Sequence, residues 1–192
     1  MKFEKVFLTL SLILIAVFSG LGILQSNYEF LTYAVIAFVV VLIIHFSDKH
    51  FSYPIYAKIG FLVWMFLHFS GGSFRYKGQS WYSLMILNLI PEPYLILKYD
   101  QVLHFFFYFL TAIFLFSVIK KYLNSKSKFP IWLLAVLAAM GIGALNEVME
   151  FGAYVYYEET GVGTYINNAL DLVFNFLGAM LGAFVAIKKS KK

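Results

Sequence analysis

The sequence predicts an all-α fold, a polytopic transmembrane helix bundle of about six spans with one interfacial or re-entrant segment in a long exoplasmic loop. Three observations predict it. Of 192 residues, 61% are hydrophobic and 13% are charged, against about 45–50% and about 25% in soluble domains. The mean hydropathy is +0.79. Apolar runs recur along the whole chain, and a bilayer crossing needs about 20 such residues. These values exclude a soluble globular enzyme, a disordered chain and a fibrous one. The absence of cysteine excludes a disulfide framework, a thiolate nucleophile and a cysteine-held zinc or iron–sulfur site.

The spans follow in order as residues 6–24, 30–46, 55–69, 101–122, 130–156 and 166–187, one integral membrane domain over 1–192. The first carries Lys2 and Lys5 like a signal peptide. Its apolar run is too long for one, and no small-residue cleavage site follows. The third is the shortest and contains Gly60, and the fifth is long enough to tilt. His45, Asp48, Lys49 and His50 read as a solvated loop after the second span, and the Lys-Ser alternation Ser125–Lys128 as another. With the N-terminus inside, twelve of the 15 Lys and Arg residues fall on the cytoplasmic side. Only Arg75, Lys77 and Lys98 fall outside. The positive-inside rule therefore puts both termini in the cytoplasm and the chain in the plasma membrane as a multi-pass protein. The basic tail Lys188–Lys192 is then a topology anchor near anionic lipid heads, with no nucleic-acid partner needed.

The one long connection, residues 71–99, is exoplasmic in this orientation. It carries Trp81-Tyr82 and an apolar stretch to Ile90, then Pro91-Glu92-Pro93. The stretch is too short to span and reads as lying in the interface or re-entering as a lid. Gly178 and Gly182, flanked by Ala179 and Ala183, make a small-xxx-small face for close helix packing, open to use by an oligomer. Gly141 and Gly143 offer the fifth span a thin edge, and the Gly161-Val162-Gly163 turn has no phosphate-loop context.

Charged side chains inside spans cost about 2.5–3.5 kcal/mol each on the insertion scale and mark function. Asp100 and His104 are four apart. Glu147 and Glu150 are three apart, next to Asn146. Asn168, Asp171 and Asn175 follow at spacings of three and four, and His68 closes the third span. Each spacing places its members on one helical face. The derived orientation places His68, Asp100, His104, Glu147, Glu150 and Asp171 in the outer third of the bilayer, at about 1.5 Å rise per residue. No Lys or Arg lies in the same stretches. The acids must therefore share protons, pair with histidine, borrow a loop cation or bind a metal. Two histidines and several carboxylates suit zinc, manganese or iron, not distinguishable here. The residues also have plainer uses: Asp100 as a helix cap, His104 and the asparagines as interhelical hydrogen-bond partners. No Glu-x-x-His, nucleophile elbow, phosphate loop, H-E-x-x-H or dinucleotide fingerprint occurs, so no nucleotide cofactor is expected.

In order, the blocks His68-Phe-Ser-Gly-Gly72, Tyr99-Asp100-Gln-Val-Leu-His104, Asn146-Glu147-Val-Met-Glu150 and Asp171-Leu-Val-Phe-Asn175-Phe-Leu-Gly178-Ala179 resemble the YjdF-like family of small multi-span membrane proteins. The resemblance runs from Trp64 to Ala183 and implies a helical membrane fold with this polar set as its signature. It implies no reaction. The last block also resembles the tail of VanZ-like proteins.

Three function classes follow. The first is a metal-dependent hydrolase or transferase acting on lipid or lipid-linked head groups at the outer leaflet. In it His68, His104, Glu147, Glu150 and Asp171 hold a divalent metal, one of the two glutamates acts as general base, and Asp100, Asn146, Asn168 and Asn175 support them. The second is a non-catalytic structural or assembly factor, and the third a proton- or cation-coupled transporter. Transporter sites usually sit at the midplane, among repeats and broken helices. The one-sided placement and the absence of evident repeats favour the enzyme.

Overall fold

The computed structural model describes residues 2–123, 127–156 and 164–190. Ser125, Lys126, the Gly161–Gly163 turn and Lys191–Lys192 lie outside the described residues. Six helices, each long and apolar enough to cross a membrane, dominate the chain: α1 (Lys2–Leu24), α2 (Tyr28–Phe51), α3 (Ile55–Ser73), α4 (Tyr99–Tyr122), α5 (Phe129–Tyr156) and α6 (Tyr165–Lys189). Only a helix or a closed barrel satisfies its backbone inside lipid, so runs of this length fold as helices. The protein is a multi-pass all-α membrane protein. The chain divides into two compact units, Met1–Tyr82 and Ser83–Lys192.

In the first unit α1 packs on α2 and α3 through large rings, with Phe7 against Phe61 at 6.2 Å and Phe18 stacked on Phe69 at 5.4 Å. The expected end of the second span at residue 46 is too early. α2 continues through Ser47, Asp48, Lys49 and His50. Asp48 is buried rather than solvated. Its Oδ1 accepts from the Tyr53 N–H at 2.8 Å, and its Oδ2 pairs with the buried Lys58 ammonium. A polar run that reads as loop stays helical because α3 supplies the countercharge. The Tyr53 hydroxyl closes the turn against Ser47 Oγ at 3.0 Å.

In the second unit α4 packs on α5 and α6, and α5 packs on α6. A Cβ on Gly178 would fall on the Phe105 carbonyl oxygen, and one on Gly182 on that of Phe109. The small-residue face therefore seats α6 directly on the α4 backbone. This corrects the expected oligomer use of Gly178 and Gly182, since α4 of the same chain occupies the face. Gly143 likewise faces Asn175 and the Tyr108 ring, while Gly141 meets nothing within 4 Å.

Residues 74–98 fold as two small antiparallel hairpins. β1 (Arg75–Tyr76) pairs with β2 (Gln79–Ser80) across Lys77 and Gly78, whose φ values of 50° and 83° give the two left-handed positions that a tight hairpin needs. β3 (Met85–Ile90) pairs with β4 (Ile96–Lys98). The apolar stretch expected at the interface is thus a strand. Its Ile86, Leu87, Leu89 and Ile90 are exposed on both faces of the ribbon.

Candidate metal centre

The second unit assembles its polar groups on three helices. Asp100 lies in the first turn of α4 and His104 one turn on. The α4 entrance is held by Gln101, which is fully buried. Its Oε1 accepts from the Leu97 and Lys98 N–H groups at 2.7 and 3.1 Å, and its Nε2 donates to the Leu95 carbonyl at 3.3 Å. Leu95 and Leu97 have φ values of 52° and 82°, a region that L-residues occupy only when the surroundings enforce it. Gln101 is that enforcement. It fixes where α4 begins and so where Asp100 and His104 point.

His104 is the hub. Its Nδ1 lies 3.0 Å from Asn175 Oδ1 on α6. An amide oxygen only accepts, so Nδ1 carries the hydrogen and the imidazole is oriented by a second helix. Its Nε2 faces Asp100 Oδ1 at 3.7 Å. Two groups of ligand atoms form around it, each with all atoms within 4.8 Å of one another: Asp100, His104 and Asp171, and His104, Glu147 and Glu150. Neighbouring amides hold the outer acids. Asn167 Nδ2 donates to Asp171 Oδ2 at 2.7 Å, and Asn146 Nδ2 donates to Glu150 Oε1 at 2.7 Å. Lys98 Nζ donates to Asn167 Oδ1 at 3.3 Å, so the nearest loop cation reaches Asp171 only through an amide.

These bonds leave atoms over. The Tyr108 hydroxyl, both Glu147 oxygens, Asn168 Oδ1, Asp171 Oδ1 and Asn175 Nδ2 are buried without a hydrogen-bond partner. Leaving one buried polar group unsatisfied costs about 1–3 kcal/mol, more for a charged one. Among the described residues of this unit, every such side-chain atom is on Tyr108, Glu147, Asn168, Asp171 or Asn175. Such a set of orphaned oxygens beside an imidazole Nε2 fits a divalent cation with its water.

The structure brings Asp100, His104, Glu147, Glu150 and Asp171 into these two groups, with Asn146 and Asn175 in direct support. His68 belongs to the first unit. It stacks on Trp64 at 4.9 Å and on Phe30 at 6.0 Å. The Tyr82 hydroxyl donates to the His68 carbonyl at 2.7 Å, so at 3.0 Å it accepts from Nδ1–H. Gly71 and Gly72 leave room for the Tyr82 and Phe30 rings, which a Cβ at either position would strike. The His68-Phe-Ser-Gly-Gly72 block is thus an aromatic seat. Tyr108, Asn167 and Gln101 are the neighbours that sequence reasoning passed over, and Lys98 is one of the loop cations it offered. Tyr108 carried a signal, since it lies four residues beyond His104 on the same face.

A family described as a predicted membrane protein, DUF2238, matches residues 5–192. It lends no support to the VanZ-like likeness. No curated protein and no solved structure matches the chain. The family match spans nearly the full length, polar blocks included, and the chain belongs to the DUF2238 family of predicted membrane proteins.

Proposed function

We propose that the chain is a metal-dependent membrane hydrolase or transferase acting on lipid or lipid-linked head groups, and that within its family it is YjdF-like. Asp100, His104, Glu147, Glu150 and Asp171 form the ligand set. His68, which is in neither group of ligand atoms among the described residues, is left out of it. The observation that carries the proposal is the group of orphaned buried oxygens around His104. A divalent cation there would supply Lewis acidity toward an ester or phosphoryl oxygen. Glu147, whose two oxygens accept no hydrogen bond, takes the proton of an attacking water. Asn175 orients the imidazole, and Asn146 and Asn167 keep Glu150 and Asp171 from swinging away. The twelve-to-three division of Lys and Arg supports cytoplasmic termini, a plasma-membrane location and a centre reached from the outer leaflet.

Metal content and thermal unfolding of the purified protein in detergent test the centre. Added zinc, manganese or iron should raise the wild-type midpoint, by about 2.7 kcal/mol of stability when the metal stands at 100 times its Kd. Glu147→Gln and His104→Ala should hold less metal than the wild type and show a smaller shift. Equal metal content and equal midpoints in all three proteins, with and without chelator, would falsify the proposal. Head-group release from outer-leaflet lipids by the loaded wild type and not by Glu147→Gln then tests the reaction.

A further inference from the structure

We infer that the cluster binds two divalent cations rather than one; the inference rests on the metal-centre reading and deepens it. Oxygen and nitrogen ligands sit about 2.0–2.2 Å from zinc, so two ligands of one ion lie at most about 4.4 Å apart. Each group of three, drawn within 4.8 Å, is close to that span. The five ligands do not gather into one such group. They form two, which share only His104. With Nδ1 bonded to Asn175, His104 has one nitrogen left, and one nitrogen serves one ion. That nitrogen faces Asp100, so with His104 given to the group of Asp100 and Asp171 the Glu147–Glu150 pair is left to an ion of its own.

Charge points the same way. Asp100, Glu147, Glu150 and Asp171 carry four negative charges when ionised. Among the described residues, no Lys or Arg forms an ion pair with any of them. One divalent cation leaves two charges uncompensated in surroundings where net charge is costly. Two balance all four and keep the imidazole neutral. The unpartnered atoms also fall on both groups. Asp171, 1% exposed, leaves Oδ1 unpartnered in the first, and Glu147 leaves both oxygens in the second. The Tyr108 hydroxyl is buried and equally unpartnered. Its ring lies against Gly143, one turn before Glu147, so a neutral oxygen donor stands on the glutamate side. Centres with paired cations can clamp both the attacking and the leaving oxygen of a phosphoryl group, a chemistry that suits lipid-linked phosphate esters.

The test is the stoichiometry of manganese on the full chain in detergent, read by mass spectrometry and electron paramagnetic resonance. Two manganese ions per chain with a spin-coupled spectrum are expected at saturation. Glu147→Gln/Glu150→Gln and, separately, Asp171→Asn should each retain one ion with the spectrum of an isolated site, helix content being unchanged by circular dichroism. One ion per wild-type chain at saturation overturns the second cation and leaves the metal centre standing. No bound manganese, zinc or iron overturns both.

Discussion

Asp48 and Asp171 are both almost wholly buried, at 4% and 1% exposure, yet the two units complete them differently. Asp48 has a full set of partners: one oxygen takes the Tyr53 N–H and the other takes the Lys58 ammonium. Asp171 has one oxygen on the Asn167 amide and the other on nothing. The same contrast separates the histidines. His68 is boxed by rings and a hydroxyl, whereas His104 is aimed by Asn175 at a group of acids. The first unit also has unpartnered buried atoms, among them Ser11, Ser70 and Ser73 hydroxyls and His45 Nδ1. None of those is a carboxylate. A buried charge supplied with its countercharge locks a turn. A buried carboxylate left open is a candidate ligand atom.

The sharpest way to break the comparison is to open the closed carboxylate. Lys58→Met should destabilise the protein by about 3–5 kcal/mol, because removing one member of a buried pair strands the other. Thermal unfolding in detergent measures it, and adding Asp48→Leu should restore most of the loss. A single variant as stable as the wild type would mean that Asp48 is neutral without its lysine. A smaller effect is expected at the aromatic seat. Tyr82→Phe removes the hydroxyl that both donates to and accepts from His68 and should cost about 1 kcal/mol, with no change in bound metal. A change in metal content there would tie His68 to the centre. The smallest effect belongs to the open carboxylate. In chelator, Asp171→Asn should shift the midpoint by less than the Tyr82 change, or raise it, since it removes a buried carboxylate that no Lys or Arg pairs with. A loss on the Lys58→Met scale would show that Asp171 is already compensated within the protein.

The six helices were legible because a bilayer leaves the backbone no alternative and the apolar runs are long. The end of α2 was not legible, because its polar residues stay helical only through Lys58, ten residues further on. Residues 74–98 were read as an apolar stretch with an aromatic anchor. Their strands depend on backbone conformations at Lys77, Leu95 and Leu97 that no hydropathy pattern reports. Within the centre, spacings of three and four made Asp100 with His104, Glu147 with Glu150 and Asp171 with Asn175 visible on their separate helices. What joins the helices was invisible. The His104–Asn175 bond spans 71 positions, and Tyr108 was hidden among 22 Phe and 14 Tyr residues. His68 was assigned by depth, which says how far along a helix a residue lies and not which neighbours surround it.

The seat of α6 on α4 has a consequence for how the protein is made. Of the three helices that build the centre, α6 emerges from the ribosome after the other two, and it carries Asp171 and Asn175. Until Gly178 and Gly182 reach the carbonyls of Phe105 and Phe109, His104 lacks the amide that aims it, and Asp100, Glu147 and Glu150 lie in nascent helices without the last wall. A nascent chain halted before Tyr165 thus holds acids in a membrane segment with nothing to complete them, the pattern that membrane quality control can recognise. Docking of α6 is the moment at which these polar groups gain the last wall around them.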